Sequence, residues 1–316
     1  MPPAIHTEQL TKDFIVGFWR TERRRALDGL TLEIGPGEVF GFLGANGAGK
    51  TTTLKLLLQL IFPTSGVARV LGRPAGDLSV RRRIGFLPEE PSFYDALTPE
   101  ELLVYFGSLF GYASADRRVR ATRCLDAVGV GAERRIALRR LSKGTVQRVG
   151  IAQAIVNDPE VVFLDEPMSA LDPLGRRDVR ALVLQLRDRG CTVFFSSHIL
   201  PDAEAVCSRV GILANGRLLT AGRLSEILAG DVRGWELVVD GVTANALAPF
   251  ATRATRVTRI TEERHALALP ATAAPEQFVA ELAAAGVRVL SLTPVHPTLE
   301  EYFVERVTSQ LAETGS

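Results

Sequence analysis

The sequence predicts an α/β protein with a mostly parallel sheet, an inserted helical subdomain and a small C-terminal α+β domain. Short apolar runs alternate with helical segments as far as about residue 230, and the order strand–helix–strand favours a parallel sheet. Strand patterns are missing from residues 88–155, and the composition shifts towards Ala, Thr and Val after Gly230. We therefore expect a first domain over residues 4–230, with the helical insertion at about 88–155, and a second domain over 232–316.

Local patterns of apolar residues, glycine and proline place the elements of the first domain. Its strand candidates carry no charge along their length, which is typical of strands buried on both faces of a sheet. The predicted strands are Val39–Gly44, Val161–Leu164 and Thr192–Ser197, and the predicted helices are Thr51–Phe62, Pro99–Phe110, Asp116–Val128 and Asp178–Arg189.

In the second domain, strand and helix patterns follow one another in the order β-α-β-β-α-β. This order is typical of a ferredoxin-like domain. Its second helix opens with Pro275 and closes at Gly286, as helices often do. The predicted strands are 235–240, 255–260, 265–269 and 287–292, and the predicted helices are 243–251 and 275–285.

Composition excludes several classes of protein. The 37 Lys and Arg residues nearly balance the 36 Asp and Glu residues, so we expect no nucleic-acid partner. The three cysteines form no CxxC pair and indicate free thiols in a reducing compartment. The N-terminus lacks a signal-peptide pattern, and no uncharged apolar run approaches the roughly 18 residues that a membrane span needs. We expect a cytoplasmic protein, which can still dock on a component of a membrane.

A glycine-rich segment between the first strand and the first helix fits the pattern GxxxxGK[ST] and identifies a P-loop NTPase core. Its glycines allow a tight turn in which successive backbone N–H groups point at phosphate oxygens. Lys50 can reach the β- and γ-phosphates, and the hydroxyl of Thr51 can bind Mg²⁺. The expected nucleotide-binding residues here are Gly44, Ala45, Asn46, Gly47, Ala48, Gly49, Lys50, Thr51 and Thr52.

Two carboxylates, Asp165 and Glu166, follow directly on the buried strand that begins at Val161. Ligands and catalytic groups of parallel sheets lie at the carboxyl ends of the strands. We expect Asp165 to hold Mg²⁺ and Glu166 to polarise an attacking water.

A third motif resembles the LSGGQ signature of ATP-binding cassette (ABC) ATPases. It is Leu-Ser-Lys-Gly-Thr-Val-Gln-Arg at Leu141–Arg148, at the start of an apolar helix. Asp172, in Ser-Ala-Leu-Asp, resembles the D-loop of that family, and His198, in Ser-Ser-His, resembles its switch histidine. The ordered motifs extend the resemblance over residues 4–230. The resemblance implies ATP hydrolysis with Mg²⁺, with Glu166 and His198 as catalytic residues.

In this family, the signature of one cassette binds the γ-phosphate of ATP held by the P-loop of another. A serine and backbone N–H groups at a helix N-terminus favour such an anion. The resemblance therefore implies that Ser142, Gly144 and Asp172 complete a nucleotide site across a head-to-tail pair of subunits. The second subunit is either another copy of this chain or a related protein.

The sequence departs from the family pattern at three positions. Lys143 and Thr145 stand where the signature usually has glycine and glutamine, while Ser142 and Gly144 are kept. Glu89 takes the place of the Q-loop glutamine. A glutamate oxygen can still bind Mg²⁺, but the extra charge puts the usual hydrogen-bonding role of this position in doubt.

The aromatic residue that stacks on adenine has two candidates. Phe14 matches the family position best, and Trp19 competes with it because the segment 15–25 is longer than usual. A packing or surface role is an alternative for either ring.

Three features resemble the ATPase subunits of type-2 exporters: Glu89, Lys143 and a C-terminal domain ending in Pro-Thr-Leu-Glu-Glu-Tyr-Phe. The resemblance implies separate membrane permease subunits that contact residues 93–98, and a position on the cytoplasmic face of the membrane. An importer ATPase is one alternative. A soluble ABC ATPase acting on ribosomes or DNA is another, but its members carry two cassettes or a long coiled coil, and this sequence has neither.

Overall fold

The computed structural model describes residues 2–17, 22–228 and 232–314 and forms two compact units, residues 1–224 and 225–316. Composition places the border between the domains a few residues later, at 230–232. Trp19 and Gly230 lie outside the described residues. No helix of the described part is long and apolar enough to cross a membrane.

The first unit holds a central mixed sheet, a second antiparallel sheet and the helical insertion. Its strands are β1 (Ile5–Val16), β2 (Glu22–Ile34), β3 (Val39–Leu43), β4 (Ser65–Val70), β5 (Arg73–Pro74), β6 (Ile84–Leu87), β7 (Val161–Asp165), β8 (Thr192–Ser197), β9 (Arg209–Ala214) and β10 (Arg217–Arg223). Its helices are α1 (Lys50–Leu57), α2 (Leu78–Arg81), α3 (Pro99–Leu109), α4 (Ser114–Ala127), α5 (Lys143–Ala154), α6 (Pro173–Asp188) and α7 (Leu200–Val206), and α8 (Leu224–Ile227) begins on its last residue.

The central sheet has the strand order β10-β9-β3-β8-β7-β6 and is parallel except for β10. The predicted parallel sheet is thus confirmed, and β3, β7 and β8 are buried along their whole length, as their apolar runs predict. Leu43 pairs with Ser197 and Asp165 pairs with Ser196 in the ladder. This register brings the segments that follow β3, β7 and β8 to one edge of the sheet.

The antiparallel sheet, with the order β2-β1-β4-β5, was not predicted. Bulges interrupt the pairing of β1 with β2 between Thr7 and Asp13, and Gln9 takes a left-handed φ of 45°. Because each bulge shifts the alternation of inward and outward side chains, the period-two pattern that marks a strand is lost from the sequence.

The helical insertion matches its prediction: helices and turns occupy residues 88–155, all of them described, and none is in a strand. Helix α1 stops at Leu57 rather than at Phe62. Gln59 adopts a left-handed φ of 52°, and the N–H of Leu60 bonds to the carbonyl of Lys55, which is the pattern of a Schellman C-cap. Helix α6 begins earlier than predicted, because the Asp172 carboxylate accepts from the N–H of Gly175 and caps it.

The second unit holds β11 (Gly234–Asp240), α9 (Ala244–Ala251), β12 (Arg256–Arg259), β13 (His265–Pro270), α10 (Pro275–Ala284), β14 (Arg288–Val295) and α11 (Leu299–Thr314). Its antiparallel sheet has the order β12-β13-β11-β14, which confirms the ferredoxin-like arrangement. Leu237, Leu267 and Phe278 form part of a separate buried core. Helix α11 was not predicted, although Thr298 and Glu301 form the capping box that marks its start.

Candidate functional site

The P-loop runs from the end of β3 into α1 and is held tightly by neighbouring backbone. Gly49 has a φ of 111°, and a Cβ there would lie 2.5 Å from the carbonyl oxygen of Ala26. A Cβ on Gly44 would lie 2.5 Å from the carbonyl oxygen of Leu213. Glycine is therefore required at both positions by the space available, and at Gly49 also by the backbone angle.

Lys50, the first residue of α1, is buried and folds back over the loop. Its Nζ donates to the carbonyl oxygens of Gly44, at 2.8 Å, and Ala45, at 3.2 Å. The ammonium is thus fixed at the mouth of the loop, where a phosphate chain would enter.

At the end of β7, Asp165 is almost completely buried. The hydroxyl of Ser196 on β8 donates to Asp165 Oδ1 at 2.5 Å. Burial raises the pKa of the Asp165 carboxyl, while hydrogen bonds from Ser196 and Thr51 act in the opposite direction. The predicted metal ligands Thr51 and Asp165 are therefore in contact with each other.

Glu166, the next residue, has a left-handed φ of 50°, which is rare for a side chain of this size. Its N–H donates to Ser196 Oγ at 3.1 Å, and its carbonyl accepts from Ser169 Oγ at 3.0 Å. These two bonds hold the strained backbone in place. Strain of this kind is found at active sites, where it aims a side chain.

The Glu166 carboxylate lies between the two other predicted active-site groups. Its Oε1 is 3.3 Å from Lys50 Nζ, and its Oε2 is 2.9 Å from His198 Nδ1. Lys50 is more than 100 positions from both Glu166 and His198 in sequence, and the three residues meet at one edge of the sheet. The carboxylate contacts both a cation and an imidazole, with little exposure to water.

An open cleft of about 880 Å³ lies over the P-loop. Phe14 lines it, with a partly exposed ring and Lys12 Nζ 5.1 Å from the ring centroid. Glu89 lines it as well, beside the P-loop residues Asn46, Gly47, Gly49, Lys50, Thr51 and Thr52.

This cleft also contains residues that were not predicted from the sequence, including Arg24, Asn215 and Gly216. Arg24 is the cross-strand partner of Phe14 in the pairing of β1 with β2, and Asn215 lies in the turn between β9 and β10. No local motif marks these residues, since only the pairing of distant strands brings them to the P-loop.

The predicted signature and D-loop residues line a second, smaller cleft of about 340 Å³. Ser142 caps α5 by accepting from the N–H of Thr145 at 3.1 Å, and its hydroxyl is 2.9 Å from that of Thr145. Gly144 and Asp172 lie in the same cleft. The described residues that line the two clefts differ entirely, so Ser142, Gly144 and Asp172 do not line the P-loop cleft of their own chain.

The unusual lysine of the signature has an acidic neighbour. Lys143 Nζ lies 3.7 Å from Oε1 of Glu90, the residue that follows Glu89, and both side chains are exposed. An exposed pair at this distance contributes little to stability. It does place the extra positive charge of the signature beside the acidic segment that follows β6.

A P-loop at the end of β3, with a buried carboxylate at the end of β7 and a second carboxylate directly after it, defines a nucleoside triphosphatase of the P-loop class. Comparison with known proteins narrows this class. Residues 27–169 match the family model described as ABC transporter. The chain is 42% identical to an uncharacterized ABC transporter ATP-binding protein of Synechocystis sp., over 99% of this chain and 86% of the relative.

It is also 38% identical to the daunorubicin/doxorubicin resistance ATP-binding protein DrrA of Streptomyces peucetius, over 71% of this chain and 66% of the relative. Among solved structures, it resembles a dimeric ATP-binding cassette in a post-hydrolysis state bound to ADP and Pi. The identity is 28% and the TM-score 0.64, over 70% of this chain and 98% of that chain. The protein belongs to the ABC transporter family, as an ATP-binding subunit that hydrolyses ATP.

Proposed function

We propose that this ATPase drives export of a substrate through separate membrane permease subunits, at the cytoplasmic face of the membrane. The observation that carries the catalytic part of the proposal is the Glu166 carboxylate held between Lys50 and His198. Similarity to the resistance protein DrrA and to a bacitracin transport ATP-binding protein of Bacillus licheniformis supports the export part.

In the proposed reaction, Lys50 and the backbone amides of the P-loop bind the β- and γ-phosphates of ATP. The Glu166 carboxylate accepts a proton from the attacking water, whose oxygen bonds to the γ-phosphorus as the bond to ADP breaks. The His198 imidazole donates a hydrogen bond to the γ-phosphate and stabilises its charge. The products are ADP and phosphate.

Mg²⁺ fits the oxygen donors at this site. The hydroxyl of Thr51 and the carboxylate of Asp165 are in contact, and a second carboxylate, Glu89, lines the same cleft. These are the hard ligands that Mg²⁺ prefers, and a buried carboxylate with a raised pKa is stabilised by a nearby cation. When bound, Mg²⁺ neutralises charge on the phosphate oxygens.

A second nucleotide-binding subunit, either another copy of this chain or a related protein, completes each site. The separation of the P-loop cleft from the signature cleft supports this arrangement, because neither cleft alone holds all the predicted contacts. In the pair, Ser142 and Gly144 of one subunit face the γ-phosphate held by the other.

The proposed contact with the permease is an apolar groove of about 470 Å³ beside the helical insertion. Phe93 and Phe106 pack edge to face along it, with ring centroids 6.4 Å apart. Phe86, Leu109 and Phe110 also line it. An exposed apolar groove of this kind suits an amphipathic helix on the cytoplasmic side of a permease.

Purification of the tagged chain from detergent-solubilised membranes tests the proposal. We expect a membrane subunit to co-purify with the wild type and to be lost from a Phe93→Asp variant that keeps its basal ATPase activity. Val119→Asp is the matched control, because Val119 is 68% exposed and does not line the groove. Co-purification of ribosomes or DNA instead of a permease would contradict the transport function, and a permease that takes substrate up would contradict export.

A further inference from the structure

A buried carboxylate outside the two clefts has no part in the chemistry described so far. Asp202 lies in the first turn of α7, four residues after His198, and is 1% exposed. A charge this deeply buried is costly unless it is paired. The groups that pair with Asp202 therefore indicate the role of this carboxylate.

Both partners lie on α6, the helix that follows the D-loop. Nη2 of Arg180 donates to Asp202 Oδ1, and Nη1 of Arg176 lies 3.9 Å from Oδ2. Each arginine is about one-third exposed, so the cluster reaches from solvent to the interior.

Arg176 makes a further contact that extends the cluster to the D-loop. Its Nε donates to the carbonyl oxygen of Leu171 at 3.2 Å, and the next residue, Asp172, caps α6. One buried carboxylate is thereby connected to two loops. The first carries the histidine that contacts Glu166, and the second lines the signature cleft.

Helix α7 needs such an anchor. It has only seven residues and no side-chain hydrogen bond at its N-cap, Ile199. A helix this short is not stable by itself, so tertiary contacts decide where it begins and how it is oriented. His198 is partly exposed, and the position of its ring depends on the backbone that leads into α7.

We propose that Asp202 is a positioning residue for ATP hydrolysis: through Arg180 and Arg176 it fixes the His198 loop relative to the D-loop. The inference rests on the proposed catalytic roles of Glu166 and His198. Displacement of a positioned group by about 1 Å costs up to roughly 10²-fold in rate. The nucleotide should bind normally, since neither Asp202 nor its arginine partners line the P-loop cleft.

The test uses the purified full-length chain and Asp202→Asn, which keeps the shape of the side chain but removes its charge. We expect kcat, measured by phosphate release, to fall about 10- to 10²-fold. The Kd for ATP, measured by equilibrium titration, should change less than about twofold. Glu160→Gln is the matched control, because it also removes a carboxylate that pairs with an arginine. Glu160 pairs with Arg83 at the opposite edge of the sheet, so this substitution should leave kcat unchanged.

A double-mutant cycle separates positioning from a general loss of stability. If Asp202 acts through His198, then Asp202→Asn causes no further loss of kcat in a His198→Ala background, whereas independent effects multiply. Arg180→Met removes the arginine partner of Asp202, which is the more exposed residue of the pair. If Asp202→Asn does not fold, the kcat of Arg180→Met tests the positioning role instead.

Wild-type kcat in Asp202→Asn, or full additivity with His198→Ala, would overturn the inference. If Asp202→Asn does not fold, wild-type kcat in Arg180→Met would do the same. Failure of the proposed catalytic roles would look different: His198→Ala and Glu166→Gln would then hydrolyse ATP at the wild-type rate.

Discussion

The ammonium of Lys50 lies 3.3 Å from Oε1 of Glu166, and both side chains are more than nine-tenths shielded from solvent. Each group thus neutralises a charge that would be costly to bury alone. When the phosphates of a nucleotide enter the P-loop, they must either bind the Lys50 ammonium together with Glu166 or replace Glu166 as its partner. Nucleotide binding and the environment of Glu166, the proposed catalytic base, are therefore linked through one contact.

Replacing Lys50 by alanine should abolish nucleotide binding. The substitution removes the fixed cation for the β- and γ-phosphates and leaves the Glu166 carboxylate beside them without its lysine partner. Equilibrium titration with ATP measures the loss. Lys55→Ala is the control, because Lys55 lies on the same helix with an exposed side chain and should bind ATP as the wild type does. Near-wild-type affinity in Lys50→Ala would contradict the site.

Glu166→Gln should slow hydrolysis by about 10²–10⁴-fold, the usual effect of losing a positioned base. ATP binding should persist or tighten, since the amide no longer competes with the phosphates for Lys50. Phosphate release measures the rate, and titration measures the affinity.

The same variant should accumulate a pair of chains with ATP between them, because the signature contacts need a bound γ-phosphate but no hydrolysis. Size-exclusion chromatography with ATP detects the pair. An unchanged rate would refute the catalytic assignment of Glu166. Slow hydrolysis without a pair would show that another protein supplies the opposing signature.

Alanine substitutions at two glycines of the P-loop should differ sharply in their effect on ATP binding. At Gly49 a Cβ would lie 2.5 Å from the carbonyl of Ala26 and the φ is 111°, so Gly49→Ala should distort the loop and abolish ATP binding. At Gly47 the φ is 81° but no atom lies within 4 Å, so Gly47→Ala should cost only about 1 kcal/mol of backbone strain. Thermal unfolding and ATP titration of the two variants test this difference, and equal effects would contradict it.

A chain truncated near Gly230 should fold, bind ATP and hydrolyse it with its permease present. The second unit has its own core around Leu237 and Phe278, and the described residues that line the P-loop cleft all belong to the first unit. We expect this unit to act in dimer support or regulation. A truncated chain that binds ATP but shows no hydrolysis with its permease would make the second unit catalytically required.

Much of the fold could be predicted because its signals are local. Strand β7 is predicted from the uncharged apolar run Val161–Leu164, and the P-loop from a fixed spacing of glycine and lysine. The bulged strand β1 lacked such a signal, since its register shifts break the alternation of inward and outward residues. The end of α1 was also missed, because Gln59 takes a left-handed position usually filled by glycine.

The class of chemistry follows from the sequence motifs alone. A P-loop and an Asp-Glu pair at a strand end can be recognised from spacing, because the backbone geometry they need depends on few neighbouring residues. Which side chains meet depends on the packing of distant segments. Glu166 contacts Lys50 and His198, and Asp202 contacts Arg180, because parallel strands end at one edge of a sheet and α7 packs on α6. Such contacts between distant parts of the chain follow from packing, which no local pattern encodes.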